Sequence, residues 1–296
     1  MSTNTFRDLS HWASGHLPSG VAGAARAAAE AAGTVTAGLR MMPSLIIVGT
    51  QRSGTTTLYR LLSDHPGVIR PTASKGVGYF DLNYHRGHSW YRGHFPLAAL
   101  AAGDTHGQKI TFESSGYYSF HPLAIERLAQ DMPAVKLLMM VRNPVNRAYS
   151  GYRHEFNRGF ETETFERALE LEPKRLRGEV ERMLADPLYQ SYEHRHHAYL
   201  GRSQYAEQVE RIHRLLGPDR LRVVDADRFF ASPHEEFEGI QRWLGLPLWQ
   251  PETVRPWNEQ PGEQLDRRLR DRLMEHFVPS DQRLAELTGT IPSWRQ

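Results

Sequence analysis

The sequence predicts a single α/β domain, with a central parallel sheet flanked by helices, on three observations. Short apolar runs the length of buried strands alternate with segments of helical periodicity. Three of the helical segments open with proline, at Pro122, Pro144 and Pro233, and proline suits the first turn. The first strand runs directly into a glycine-bracketed polar turn and then a helix, an arrangement that aims backbone N–H groups and the positive end of a helix at an anion.

Taken in order, residues 1–42 read as an N-terminal helical extension. Its one helix, Gly20–Leu39, is Ala-rich, weakly hydrophobic and interrupted by Arg26 and Glu30, without the basic start and strong apolar run of a signal peptide. The domain proper is expected over residues 43–296. Its candidate strands are Leu45–Val48, Lys109–Glu113, Val135–Val141 and Leu221–Val224. Helices are expected over Thr55–Ser63, Pro122–Gln130, Pro144–Asn157, Gln204–Leu215 and Pro233–Trp243. The charge-rich residues 157–200 read as helices outside the sheet. Beyond Gly245-Leu246-Pro247, the prolines 251, 256 and 261 mark a long loop, and Leu265–Phe277 closes the molecule as a helix.

Composition narrows the function. A chain of 296 residues, 40% hydrophobic and 10% aromatic, has material for one large core. A net charge of +2 argues against a protein that coats nucleic acid, which needs a concentrated basic surface. Only four of the 36 basic residues are Lys (75, 109, 136 and 174), which leaves 32 Arg. Codon bias in a GC-rich genome explains most of that excess, although Arg is also the better fork for phosphate and sulfate. The absence of cysteine excludes disulfides, thiolate metal sites and cysteine nucleophiles, and fits a cytoplasmic location. No apolar run is long enough for a transmembrane span.

The turn after the first strand reads Gly49-Thr50-Gln51-Arg52-Ser53-Gly54-Thr55-Thr56. Its spacing nearly matches the phosphate loop of nucleoside triphosphatases, but Thr55 stands where that loop has Lys, and the cation is Arg52, inside the turn. The loop is suited to one phosphate group rather than a triphosphate with magnesium. A second anion site is expected where Val135–Val141 ends in Arg142, with Ser150 two helical turns later. The candidate anion ligands are therefore Gln51, Arg52, Ser53, Gly54, Thr55, Thr56, Arg142 and Ser150. A P-loop kinase is the competing reading. It lacks both the loop Lys and a carboxylate for magnesium after the second strand, where Arg142 stands.

Several further segments, in this order and spacing, carry a resemblance: Tyr79-Phe80-Asp81, Trp90-Tyr91-Arg92-Gly93-His94-Phe95-Pro96, Phe112-Glu113-Ser114-Ser115-Gly116-Tyr117-Tyr118, and Asn143-Pro144 through Arg147-Ala148-Tyr149-Ser150-Gly151-Tyr152-Arg153-His154. Over roughly residues 43–290 the chain resembles the sulfotransferases that use 3′-phosphoadenosine 5′-phosphosulfate (PAPS), and above all the heparan sulfate type with its N-sulfotransferase domain. A bacterial member is expected. The resemblance implies the P-loop nucleotide-kinase-like sulfotransferase fold and transfer of a sulfuryl group to a hydroxyl or amine, with no metal. It places the 5′-phosphosulfate on the loop Gly49–Thr56 and the 3′-phosphate on Arg142 and Ser150. Arg52 would stabilise charge on the leaving oxygen, and Lys75 the sulfuryl oxygens.

The chain departs from that family at the proton acceptor. Heparan-type enzymes carry a catalytic Glu where this chain has Gly76. Three substitutes are open: His154, which matches a histidine implicated in the N-sulfotransferases, then Glu113, whose burial would raise its pKa, then Asp81. A catalytically inactive nucleotide-binding module is the alternative that Gly76 raises. Ser114 replaces the family's acceptor-side Lys, and Asn258-Glu259-Gln260-Pro261-Gly262 replaces a basic loop, so the expected acceptor is a small molecule, glycan or glycolipid rather than a polyanion. Tyr79, Tyr84, Trp90 and Tyr91 are candidates to line its site, with core packing as the alternative for Trp90, Tyr91 and Phe95. His194, His196 and His197 read as a solvated helix face rather than a metal site.

Overall fold

The structure is a computed structural model that describes residues 19–71, 74–101, 109–251, 253–254 and 265–296. Residues 1–18, Pro256, Pro261 and the stretch from Asn258 to Gly262 lie outside the described residues. Five strands form one sheet: β1 (Leu45–Gly49), β2 (Val68–Ile69), β3 (Ile110–Ser114), β4 (Lys136–Val141) and β5 (Leu221–Asp225). All pairings are parallel, in the order β2-β3-β1-β4-β5. From β1 the chain runs to the edge at β2, returns inward to β3 beside β1, and then crosses to β4 and β5 on the other side. The change of direction falls between β1 and β4, and ligands of open parallel sheets gather at the carboxyl ends beside such a point.

The helices relevant to the site follow in chain order: α1 (Ser19–Val35), α2 (Thr55–Asp64), α3 (His88–Arg92), α4 (Ala124–Asp131), α5 (Pro144–Asn157), α6 (Phe165–Arg175), α7 (Glu179–Ala185), α8 (Tyr192–His196), α9 (Tyr205–Leu216), α10 (Ala226–Ala231), α11 (Pro233–Leu244), α12 (Arg267–His276) and α13 (Val278–Thr288). Alternate residues of the central strands feed opposite faces. Ile46, Val48, Leu137 and Met139 pack with Ile125, Leu128 and Val209 of α4 and α9. Leu45, Ile47, Leu138 and Met140 pack with Leu58, Phe237 and Ile240 of α2 and α11. Burial on both faces explains why these strands read as unbroken apolar runs. A third cluster joins Val145 and Ala148 of α5 to Phe165, Leu269 and Leu273.

Local chemistry sets the helix that matters most. Asn143 accepts from the amides of Val145 and Asn146 at 3.1 Å each, and Pro144 occupies the first turn, so α5 begins immediately after β4. At the other end of the chain, α1 lies against α3 where Gly33 and Gly93 meet. A methyl at Gly33 would lie 2.6 Å from the Gly93 carbonyl. Glu30 adds a salt bridge to Arg86 at 3.1 Å and accepts from the Trp90 indole at 3.2 Å.

Three expectations are corrected. The two-residue β2 is too short to leave a periodic trace. The closing helix is two: α12 stops at His276, and α13, with Pro279 in its first turn, continues the chain. Tyr79, Trp90, Tyr91 and Phe95 are all buried in the first core cluster, so of the four aromatics proposed to line an acceptor only Tyr84 keeps partial exposure. Tyr79 stacks on Tyr91 with ring centroids 4.7 Å apart, and Phe80 meets Tyr91 edge-on at 5.2 Å.

Candidate functional site

The turn between β1 and α2 is fastened to the neighbouring strand. Thr50 donates its amide and its hydroxyl to the Met140 carbonyl of β4, each at 2.9 Å. The same hydroxyl lies 2.6 Å from that of Ser53, which is buried, so Ser53 braces the loop from within. Two residues then take left-handed backbone: Arg52 at φ +74° and Gly54 at φ +86°. That conformation costs a non-glycine residue about 1–2 kcal/mol. At Gly54 a methyl would also meet the Phe230 ring at 2.9 Å. The amides of Gly54, Thr55 and Thr56 donate no backbone hydrogen bond among the described residues. Such orphaned donors at a helix start present partial positive charge to an anion.

The second strand tip meets the first. Arg52 Nε donates to the Ser150 hydroxyl at 3.1 Å, and Arg142 Nη1 donates to the Arg52 carbonyl at 3.2 Å. The Tyr205 hydroxyl in turn donates to the Arg142 carbonyl at 3.0 Å. Burial lowers the Arg52 pKa, and the nearby Arg142 and Arg153 lower it further, with Glu155 acting in the opposite sense. The loop is thus an electropositive recess in which cations repel one another.

Lys75 enters from a different segment. Its Nζ donates to the hydroxyls of Thr55 and Thr56 at 3.1 Å each, and burial lowers its pKa to about 8. The reason it sits there lies beneath it. Glu113 accepts from the Val77 amide at 3.1 Å, Ser115 from the Gly78 amide at 3.2 Å, and the Tyr118 hydroxyl from the Tyr79 amide at 2.7 Å. The Ser114 amide donates to the Lys75 carbonyl at 2.8 Å. Residues 75–80 are therefore hung on β3 and the turn that follows it. Glu113 is fully buried, and burial pushes its pKa up to about 7. Asp81 is buried too, accepts from the Leu82 amide at 2.7 Å, and has its pKa pushed up to about 6 by burial. Both carboxylates bond to the 75–83 segment, whereas Arg52, Arg142, Ser150, Lys75, Thr55 and Thr56 are linked by direct contacts around the turn.

Gly76 has a physical explanation. A methyl there would lie 2.5 Å from the Ser114 carbonyl oxygen and 2.8 Å from the Ser115 hydroxyl. The backbone passes too close to β3 for any side chain, a carboxylate included. His154, one turn beyond Ser150 on α5, is half-buried, with Nε2 4.0 Å from Glu155. Burial lowers its pKa, Glu155 opposes that, and Arg52 adds to the lowering. The imidazole is neutral near neutral pH and able to accept a proton.

The histidine cluster is not a solvated face, contrary to the expectation from sequence. His194, His196 and His197 are all buried. His194 Nδ1 is 2.6 Å from the Tyr117 hydroxyl and its ring stacks on Phe120, while His196 Nδ1 is 2.8 Å from Glu155. Each of the three finds a partner inside the protein, His197 through Nε2 2.9 Å from the Phe160 carbonyl. Sequence reading also missed Arg147 and Arg202, which bond to Gln51 through Arg147 Nε to the carbonyl at 3.2 Å and Arg202 Nη1 to Oε1 at 2.6 Å. The signal was present, since Arg147 lies in the same run as Arg142 and Ser150, but helical spacing alone does not tell an inward Arg from an outward one.

Among the described residues no group of three or more His, Asp or Glu is arranged to hold a metal, and no helix is long and apolar enough to cross a membrane. The arrangement is that of a cradle for phosphate or sulfate groups with one neutral imidazole at its edge.

Comparison with known proteins agrees with this geometry. The family model described as "Sulfotransferase domain" matches residues 42–267. Human heparan sulfate glucosamine 3-O-sulfotransferase 5 is 28% identical over 215 residues, covering 71% of this chain and 55% of that protein. Human bifunctional heparan sulfate N-deacetylase/N-sulfotransferase 2 is 29% identical over 216 residues, covering 69% of this chain and 22% of that protein. The chain thus spans only part of the length of these relatives. The crystal structure of a sulfotransferase from Alicyclobacillus acidocaldarius superposes with a TM-score of 0.67 at 26% identity, covering 86% of this chain and all of that one.

The contact at Gly76 leads to a direct expectation. Gly76→Glu overpacks the backbone against β3, and it is expected to lower stability by about 1–3 kcal/mol in chemical denaturation. A variant as stable as the parent contradicts the steric account.

Proposed function

The chain belongs to the sulfotransferase family, and we propose that it transfers the sulfuryl group of PAPS to a hydroxyl or amine of a small-molecule or carbohydrate acceptor, leaving adenosine 3′,5′-bisphosphate (PAP). The observation that carries this reading is the junction of Arg52, Ser150 and Arg142 across the tips of β1 and β4. Two anion-binding groups on adjacent strands suit a nucleotide with two separated phosphates. The mutual repulsion of Arg52 with Arg142 and Arg153 supports it as well, because an anion relieves that repulsion. The family match begins at residue 42, which supports treating residues 1–42 as an extension to the transferase domain. A cysteine-free chain suits a reducing compartment, and the cytoplasm is the proposed location.

In this reading the amides of Gly54, Thr55 and Thr56 hold the 5′-phosphate, assisted by the hydroxyls of Thr55 and Thr56. Arg142 and Ser150 hold the 3′-phosphate, a remote handle whose binding energy positions the reacting end. The donor supplies an activated sulfur–oxygen bond. As the acceptor oxygen or nitrogen bonds to sulfur, the bond from sulfur to the phosphate oxygen breaks, and its electron pair stays on that oxygen. Arg52 neutralises the charge that develops there, and Lys75 faces the oxygens of the group in transit. His154 takes the acceptor's proton. Glu113 holds the Lys75 segment in place, while Asp81 is the second carboxylate near the acceptor side. The family's glutamate has no room at Gly76, so the proton must leave by another group.

Two outcomes are expected. In thermal denaturation, PAP raises the midpoint, while ATP with magnesium at equal concentration raises it less. Stabilisation by ATP–magnesium alone contradicts the reading and favours a kinase. His154→Ala is expected to reduce turnover about a hundredfold or more. Because the His154 pKa lies below the usual imidazole value, its neutral form persists into mild acid. The parent rate therefore falls only below about pH 6.5, and the variant loses that acid limb. An unchanged rate–pH profile removes His154 from the mechanism.

A further inference from the structure

Gln51 is held from behind by two arginines from different elements. Arg147 of α5 is fully buried, and besides the Gln51 carbonyl it bonds the Tyr199 carbonyl at 2.9 Å and the Ser203 hydroxyl at 3.4 Å. The guanidinium lies beside Gly151, one turn on, where a methyl would make an ordinary packing contact at 3.4 Å from Nη2. Arg202 is also buried. It bonds the His194 carbonyl at 3.1 Å and that of Arg195, and lies over the Tyr117 ring at 4.7 Å. Its Nε is buried with no hydrogen-bond partner.

Neither arginine forms a salt bridge with a carboxylate among the described residues. Their partners are carbonyl and hydroxyl oxygens. Burying a cation whose hydrogen bonds go only to neutral acceptors is costly, although Glu155 and Glu172 offset part of that cost through space. A packing role alone does not require it, because an apolar side chain of the same volume would fill the space with less penalty. What the two guanidiniums do uniquely is fix the orientation of one residue. In a trans peptide the C=O and the N–H point in opposite directions. With the Gln51 carbonyl turned back toward Arg147, the amide of Arg52 is turned the other way, and Arg52 is held at φ +74° against its steric preference.

We propose that Arg147 and Arg202 are positioning residues for the transfer reaction. Together they pin Gln51 by its backbone and its side chain, and so aim the Arg52 amide into the anion cradle. They also place two buried positive charges behind it. The role rests on the proposed use of a PAPS-type nucleotide, but the clamp itself is a property of the free protein and is measurable without any ligand.

The test uses Arg202→Met and Gln51→Ala, singly and combined, with Arg147→Lys, which keeps the charge but loses the fork. Amide hydrogen exchange over residues 50–56 is measured in the ligand-free protein, and PAP affinity by calorimetry. Each single variant is expected to speed exchange over residues 50–56 while β4 stays protected. Each is also expected to weaken PAP binding by about tenfold or more, the scale of one charge-assisted hydrogen bond. The Arg202→Met, Gln51→Ala double variant is expected to be no weaker than the weaker of its two singles, because the bond between Arg202 and the Gln51 side chain, which both remove, is the one that reaches the loop. A general loss of packing gives no such coupling. Exchange over residues 50–56 equal to the parent's, or losses that multiply in the double variant, overturns the clamp. If Arg202→Met does not fold, Gln51→Ala, which alters a half-buried loop side chain, carries both readouts. A parent protein that takes up no PAP overturns the proposed function instead, and the exchange comparison then decides the clamp alone.

Discussion

The hydrogen bonds from Thr50 to the Met140 carbonyl tie the end of β1 to the end of β4, and the rest of the site depends on that tie. It brings together two strand tips that the sequence separates by about ninety residues. Once the tips are joined, the backbone has little freedom. The chain must turn at once, through left-handed residues at 52 and 54, to enter α2. The turn leaves the first amides of α2 without acceptors and sets Arg52 against Ser150 and Arg142. A site of this kind is prepared before any ligand arrives, and preorganised donors need no rearrangement when charge develops.

Electrostatics decide what such a site can accept. Several cations converge on the loop, and the carboxylates nearby are mostly engaged elsewhere: Glu113 with the Val77 amide, Glu172 with the amides of residues 199–201, and Glu161 with Arg175. Glu155, though also bonded to His196 at 2.8 Å, is close enough to oppose the lowering of the Arg52 and His154 pKa values. A phosphate or sulfate bound there relieves the repulsion of Arg52 with Arg142 and Arg153. The burial that lowers the Lys75 pKa to about 8 leaves it largely protonated at neutral pH, and so still a donor.

Much of this was legible in the sequence, and the parts that were not share one physical cause. Four strands and the helices between them announce themselves because a strand buried on both faces must be apolar throughout, and because proline and asparagine mark the start of α5. The glycine-bracketed turn and its place between β1 and α2 are legible because a short apolar run followed by glycines and hydroxyl residues at fixed spacing marks a strand, turn and helix. The inward turn of Arg147, Arg202 and the three histidines was not legible. A buried polar residue carries the same letter as an exposed one, and only tertiary contacts distinguish them. For the aromatic run the core alternative holds for Trp90, Tyr91 and Phe95 and extends to Tyr79; composition left both readings open because stacking platforms and core residues share it. Gly76 was visible as a departure, but its cause, the close approach of the backbone to Ser114, belongs to the packing alone.

The central claim is that two anion sites at neighbouring strand tips act on one nucleotide. The most direct measurement compares, by calorimetry under one set of conditions, the affinities of PAP, adenosine 5′-monophosphate and adenosine 3′-monophosphate. The account predicts that PAP binds at least about a hundredfold more tightly than either monophosphate, since each phosphate engages its own charged hydrogen-bonding group. Equal affinity for PAP and one monophosphate would mean that only one site exists, and would contradict the account.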